Sequence, residues 1–340
     1  MESVGGAGEP VDRSRSVGDV GERRLIVELT RSSRALDATH RTADVVIGSG
    51  DDAAVIDTAG PTVISTDTAV AGRHFRFDWS DPRTVGARAV IQSAADIAAM
   101  GGRVTGTVVS IACPADTTVG TVLDLNDGIL DATHRLGGRV LGGDLVGADE
   151  VVLTVTTVGA LDGATPIVVG GARPGDVLAV TGTAVGASAA GLALLLDAHD
   201  RGNDELLAEF ADLVAAHRLP APDLGQGPAA AHAGAHAMTD ISDGLVEELI
   251  TMAAASGVAL AVSSDRIPVG SDMRSAARRL GVDLREWTVA GGEDHELLGA
   301  FAAGTVPPGW TTIGEVRDGT GVRVDGRAVQ DLRGWQSFGS

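Results

Sequence analysis

Apolar positions along this chain alternate between short β-like runs and longer stretches with helical spacing, and the alternation occurs twice. Residues 45–47 form an apolar run that ends in Gly48-Ser49-Gly50, and residues 62–65 form another that ends in Thr66-Asp67. Each predicts a strand running into a loop. From Thr84 onward, Ala87, Val90, Ile91, Ala94, Ile97 and Ala98 recur at helical spacing until Gly101-Gly102, which predicts a helix over 84–100. A strand over 104–111, a helix over 118–136, a short run at 140–141 leading into Gly142-Gly143-Asp144, and an alternating β-branched run over 151–158 complete the first half. Residues 159–174 are Gly-rich with two prolines and read as a connection. Beyond it the pattern predicts strands at 177–181, 235–241, 258–263, 295–301, 311–316 and 322–329. Helices are predicted at 188–198, 204–217, 244–256 and 271–280. The expected fold class is α/β (or α+β), with a flexible tail over 1–22, an N-terminal domain over 23–164 and a C-terminal domain over 165–340.

The length of 340 residues and a 44% hydrophobic content suffice for two cores. A formal net charge of −20 disfavours nucleic acid and anionic membranes as partners. No lysine occurs, so neither a P-loop nor a protein-kinase lysine is available, and any phosphate chemistry must rest on metals, arginine and backbone N–H groups. The lone Cys113 lies in an apolar run and excludes an internal disulfide framework. With no apolar signal-peptide core at the start of the sequence, a cytoplasmic location is expected.

Chemistry enters with the placement of aspartates. Asp52 follows a predicted strand in Gly50-Asp51-Asp52, Asp67 ends Ser65-Thr66-Asp67, and Asp144 ends Gly142-Gly143-Asp144. Asp240 and Asp243 frame Asp240-Ile241-Ser242-Asp243-Gly244 between a strand and a helix. Any one of these is an ordinary turn or helix cap. Asp96 is different: beside Ile97, Ala98 and Met100 its carboxylate is costly to bury without a cation or hydrogen bonds. Carboxylates next to Gly, Ser and Thr suit Mg²⁺, which takes hard oxygen ligands and completes its shell with water and substrate phosphates.

The ordered set GSGDDAAVID, STDTAVAGRHF, SAADIAAMGG, GGD, RPGDVLAVTGT, SAAGLAL, DISDG and GGEDHELL resembles the thiamine-monophosphate kinases, a family of the aminoimidazole ribonucleotide synthetase-like superfamily, from about residue 24 to the C-terminus. The resemblance implies ATP-dependent phosphorylation of thiamine phosphate to thiamine diphosphate. It also implies an N-terminal domain that forms a homodimer through its sheet, and a C-terminal α/β domain packed on it. By matching motif, Asp52, Asp67, Asp96, Asp144, Asp240 and Asp243 resemble Mg²⁺ ligands, with Ser65 and Thr66 approaching the ions. Gly143, Asp144 and Ser242 resemble ATP-contacting positions. His74, Glu293 and Trp335 resemble residues that bind thiamine phosphate.

The chain departs from the family pattern in four places. Leu145-Val146-Gly147 stands for Thr-Arg-Gly, Val168 and Val169 stand where an Arg is usual, His295 stands for Tyr, and Asp223 stands for an Arg. The expected mechanism is direct in-line transfer with no catalytic nucleophile or base, because the acceptor phosphate is already an anion. Two alternatives stand beside this reading. One is another ATP-using member of the superfamily, although the mid-chain Cys113 argues against selenophosphate synthetase and the hydrogenase-maturation dehydratase. The other is a non-catalytic acidic cation-binding protein, against which stands the lack of a regular Asp-x-Asp calcium loop.

Overall fold

The computed structural model describes residues 11–39, 44–49, 53–58, 60–329 and 333–334. Its first half contains helices α1 (Val17–Val20), α2 (Glu22–Thr39), α3 (Pro82–Ala99) and α4 (Val119–Arg135). The strands of this half are β1 (Val45–Ile47), β2 (Val55–Ile56), β3 (Thr62–Val70), β4 (Arg103–Cys113), β5 (Arg139–Gly147) and β6 (Val152–Ala160). The second half contains strands β7 (Val177–Val180), β8 (Ala237–Asp240), β9 (Ala259–Val262), β10 (Leu297–Phe301), β11 (Thr311–Arg317), β12 (Gly321–Val324) and β13 (Arg327–Ala328). Its helices are α5 (Ala187–Arg201), α6 (Asp204–Glu209), α7 (Ala211–Arg218), α8 (Gln226–His232), α9 (Leu245–Ser256), α10 (Ser271–Leu280) and α11 (Leu284–Thr288).

The first-half sheet has the order β3-β6-β4-β5, antiparallel except for the β4–β5 pair. Its inner face packs Val109, Ile111, Leu153 and Val155 against Val90, Val122 and Leu125 of α3 and α4. The two helices cross with backbones in contact. A Cβ on Gly86 would lie 2.1 Å from the Leu125 carbonyl oxygen, and one on Gly128 would lie 1.9 Å from that of Arg83. The second-half sheet has the order β13-β12-β9-β11-β7-β10-β8, antiparallel except for the β9–β12 pair. Leu245, Leu249 and Met252 of α9 pack in one core with Leu178, Leu260 and Ile313 of the sheet.

Helix α3 joins the halves. Asp81 caps its N-terminus, accepting the Thr84 N–H at 2.9 Å, and Pro82 starts it. Twelve of its eighteen residues are buried on all sides. Val85, Ala87 and Val90 belong to the first core. Ala94, Ala95, Ala98 and Ala99 pack against Ala179, Met238, Leu297 and Phe301 of the second sheet. These small side chains let α3 lie close to β8, which is how Asp96 and Asp240 come to share one space.

Several expectations are corrected. Residues 11–22 are not a free tail: Val17 N–H bonds to Thr117 O at 2.8 Å, Val119 N–H to Arg15 O at 2.8 Å, and Arg13 pairs with Asp124. Residues 1–10 lie outside the described residues. Strand β3 continues through Thr66-Asp67 to Val70 instead of ending there, because every position of 62–70 pairs with β6. Likewise Asp144 lies within β5 and not after a strand. The expected 204–217 helix breaks at Phe210, whose side chain is buried, and the expected 322–329 strand is a hairpin of β12 and β13. Helix α2, assigned no element from sequence, packs Leu25 inward and holds the buried Glu28 between Arg24 and Arg31. Among the described residues no helix is long and apolar enough to cross a membrane.

Candidate active site

The acidic positions meet where α3 passes between the two sheets. Asp67 stands in mid-β3 on the face toward α3, since side chains alternate along a strand and Thr66 faces outward to Thr156 at 3.0 Å. Thr66 therefore offers the acidic site only its backbone. Ser65 Oγ donates to the Asp96 carboxylate. Asp240 ends β8, opposite Leu297 of β10, and the 241–244 turn that follows carries Ser242 and Asp243.

These carboxylates feel one another. Burial, then the field of Asp240, raises Asp96 to about 6. Burial raises Asp67, with Asp240 and Glu293 adding to it, and the buried Asp67 Oδ2 has no hydrogen-bond partner among the described residues. Asp243 is raised by burial, then by Glu293 and Asp240. Carboxylates held so close, one of them with an orphaned oxygen, form a hard-oxygen environment that fits a divalent cation. Among the described residues no three His, Cys, Asp or Glu side chains are already spaced to hold an ion, so phosphate oxygens and water would complete any coordination shell.

Asp144 leaves the sheet on the other face. Asp67 pairs with Val155, Val155 with Val109, and Val109 with Gly143, so Asp144 lies one residue out of that row, beside Ser110 and Thr154. It is exposed, and it accepts the Leu145 N–H at 3.0 Å. Gly143 and Asp144 edge an apolar slot of about 180 Å³ between α2, α4 and β5, into which Asn126 brings a buried amide nitrogen with no partner among the described residues. Asp52 and Trp335 lie outside the described residues.

Next to the acidic cluster is a cavity of about 590 Å³ between the 72–80 segment, α3, α5 and α7. His74 and Glu293 line it, and so does Gly334, the residue before Trp335. His74 Nδ1 accepts the Val70 N–H at 3.1 Å, which leaves Nε2 as its second hydrogen-bonding atom. A Cβ on Gly334 would lie 2.0 Å from the Asp243 carbonyl oxygen, and the Gly334 N–H donates to Glu247 at 2.9 Å. Only glycine at 334 fits this closely against the Asp243 turn.

Three features were missed or underweighted in sequence. The first is the Arg88–Glu293 ion pair at 2.6 Å, in which Arg88 is almost fully buried. An Arg on an otherwise apolar helix carries the same signal as Asp96. The second is His295, which stands between Asp240 at 3.1 Å and Glu293 at 3.7 Å. Burial alone would depress its pKa, but these two carboxylates push it up to about 10, which favours the protonated imidazole between the acidic cluster and the cavity. Glu293 and His295 both have positive φ, 68° and 55°. The buried Asp294 between them anchors this strained turn by accepting the Gly186 and Ser188 N–H groups at the start of α5. The third is Glu248, which accepts the Asp243 N–H at 3.3 Å and the Ser242 hydroxyl at 3.4 Å, and so holds the 242–243 turn.

Residues 50–161 match the AIR synthase related protein N-terminal domain and residues 173–327 its C-terminal domain. The chain is 43% identical over 329 residues to the thiamine-monophosphate kinase of Mycobacterium tuberculosis, covering 96% of this chain and 94% of that one. It is 40% identical over 331 residues to that of Corynebacterium glutamicum, with 95% of each covered. Among solved structures, AaThiL complexed with AMPPCP and TMP superposes with a TM-score of 0.75 at 28% identity, covering 94% of this chain and 98% of that one. The thiamine-monophosphate kinase of Stenotrophomonas maltophilia gives 0.76 at 26%, covering 89% and 96%. The hydrogenase maturation protein HypE in complex with ATP, at 18% identity and a TM-score of 0.65, shares the fold. With both domains matched in order and more than 40% identity over nearly its whole length, this chain belongs to the AIR synthase related family and, within it, to the thiamine-monophosphate kinases.

Proposed function

We propose that this chain transfers the γ-phosphoryl group of ATP to thiamine phosphate, yielding ADP and thiamine diphosphate in the cytoplasm. The observation that carries this reading is the continuity of the acidic cluster with the cavity edged by His74, Glu293 and Gly334. An acidic site beside an organic-sized pocket suits a reaction between two phosphorylated molecules if cations lie between them. Asp67, Asp96, Asp240 and Asp243 would hold Mg²⁺, with Ser65, the Thr66 backbone and Asp52 as further proposed ligands, and Asp144, on the opposite face of the sheet, would reach only a separate ion. Bound there, Mg²⁺ supplies neutralisation of triphosphate charge and polarisation of the phosphoryl oxygens.

The chain's own residues position. Ser65 orients the Asp96 carboxylate, His295 orients Asp240, and Glu248 fixes the Ser242–Asp243 turn. Glu293 faces the cavity as a carboxylate, held ionised by Arg88 and His295 against the effect of burial, and so suits the thiazolium cation. The acceptor oxygen is already anionic at neutral pH, so no side chain needs to remove a proton. Gly143, Asp144 and Ser242 are the proposed ATP contacts, and the slot holding Asn126 offers room and one free amide for the base. Trp335 is proposed as a further residue that binds thiamine phosphate. The two halves, divided at residue 164/165, are proposed as the domains that flank the reacting groups.

A homodimer is also proposed. The outer face of the β3-β6-β4-β5 sheet exposes Ile64, Val108 and Val146, with Ile64 at 65%. Large apolar side chains exposed on a sheet face suit a second copy. Ile64→Glu is expected to shift the protein from dimer to monomer in sedimentation velocity; an unchanged dimer would count against this face. Incubation with ATP, Mg²⁺ and thiamine phosphate, followed by mass spectrometry, tests the activity. A product one phosphate heavier than thiamine phosphate is expected. ADP release without that product would instead favour another superfamily activity.

A further inference from the structure

We propose that Arg88 is the cation that binds the phosphate ester of the acceptor, acting as the positive half of a charge pair with Glu293 that matches a zwitterionic substrate. The inference rests on the thiamine phosphate reading, because that molecule carries a cationic ring and an anionic phosphate a short tether apart.

Three observations lead to it. Arg88 lies on α3 eight residues before Asp96, about 12 Å along the helix axis, so one rigid element carries both the acidic cluster and this guanidinium. A guanidinium buried to 6% exposure needs partners, yet among the described residues only one of its five N–H groups is engaged, with Glu293 Oε2 at 2.6 Å. Arg88 also lines the cavity, so its remaining donors border the space an acceptor would fill.

The other cations of the cavity are less suited. Arg76 is committed to Asp78 by two hydrogen bonds, at 2.6 and 2.9 Å, and lies over the Trp79 ring at 4.5 Å. Arg73 is exposed at the rim. His217, on the same floor, is neutral: burial and the charge of Arg88 lower it to about 4, and its Nδ1 is tied to Ser188 Oγ at 3.2 Å. His295 is enclosed by Asp240 and Glu293. Without substrate, Glu293 neutralises Arg88. With substrate, the thiazolium compensates Glu293 and the phosphate compensates Arg88, so no uncompensated charge is buried. A planar guanidinium can also bind a phosphate in bidentate fashion, which a lysine cannot.

The test is calorimetric binding of thiamine phosphate and of unphosphorylated thiamine, without ATP, to the wild-type protein, Arg88→Gln and Arg88→Lys. Wild type is expected to prefer thiamine phosphate. Arg88→Gln is expected to lose on the order of 30-fold for thiamine phosphate and under about threefold for thiamine, as for a lost charged hydrogen-bonding group. Arg88→Lys is expected to keep part of the preference. An equal loss for both ligands would mean that Arg88 only holds Glu293 in place, and no loss for either would mean that it binds nothing; each overturns the proposal while leaving the kinase reading intact. A wild-type protein that binds neither ligand and yields no thiamine diphosphate would overturn both. Comparable melting temperatures for the three proteins confirm that the variants are folded.

Discussion

Asp96→Asn is expected to lower kcat about a hundredfold or more, by the scale of lost electrostatic groups at reacting phosphates, and at the same time to raise the melting temperature of the metal-free protein. The two effects share one cause. Asp96 is buried beside Asp240 and has a pKa raised to about 6. A carboxylate whose folded pKa lies above its unfolded value destabilises the fold once it ionises. That penalty is absent below the unfolded value, grows as pH rises, and is complete above the folded value, so it is fully present at pH 7. A shift of this size corresponds to roughly 3 kcal/mol, which Asn removes. Asn keeps an oxygen for Ser65 but has no charge for a cation. ATP with Mg²⁺ should then stabilise wild type more than the variant. The check is ADP-release kinetics alongside thermal denaturation with and without ATP–Mg²⁺. A variant with kcat within threefold of wild type would remove Asp96 from the site, and a lowered melting temperature would show that its charge is compensated within the fold.

The second large effect is structural. Gly128→Ala is expected to destabilise the protein by about 3 kcal/mol or more, or about 6 °C in melting temperature for a protein of this class. The added Cβ would lie 1.9 Å from the Arg83 carbonyl oxygen, so α3 and α4 must separate. Because α3 also carries Arg88 and Asp96, the folded fraction should show a raised KM for thiamine phosphate. Gly147→Ala, where a Cβ meets nothing within 4 Å, is the control and should shift the melting temperature little. Equal melting temperatures for the two variants would show that the helix crossing yields easily.

Much of the architecture was legible because strands and long amphipathic helices leave periodic signals. The helix of α3 and most strands of both sheets were found in that way. What stayed hidden depended on pairing. Asp67 reads as a strand end because polar Thr66 precedes it, but pairing with β6 carries the strand through to Val70. Asp144 reads like its fellow aspartates, yet a one-residue offset from the Asp67 row sends its side chain to the opposite face. Helix α2 left a weak signal because its sequence is mainly polar and its buried Glu28 is compensated by two arginines one turn away on either side. His295 is a departure from family pattern in sequence, whereas in the fold it is the cation between Asp240 and Glu293. The Arg88–Glu293 pair spans 205 residues of chain, and no local pattern could have disclosed it.

The central claim is that Asp67, Asp96, Asp240 and Asp243, brought together by the passage of α3 between two sheets, bind divalent ions that bridge to nucleotide phosphates. Crystals grown with Mn²⁺ and a non-hydrolysable ATP analogue test it through the anomalous signal of the metal. Peaks in contact with these carboxylates and with phosphate oxygens are the expected result. Bound nucleotide whose phosphates lie away from this cluster, with no metal peak beside Asp67, Asp96 or Asp240, would contradict it.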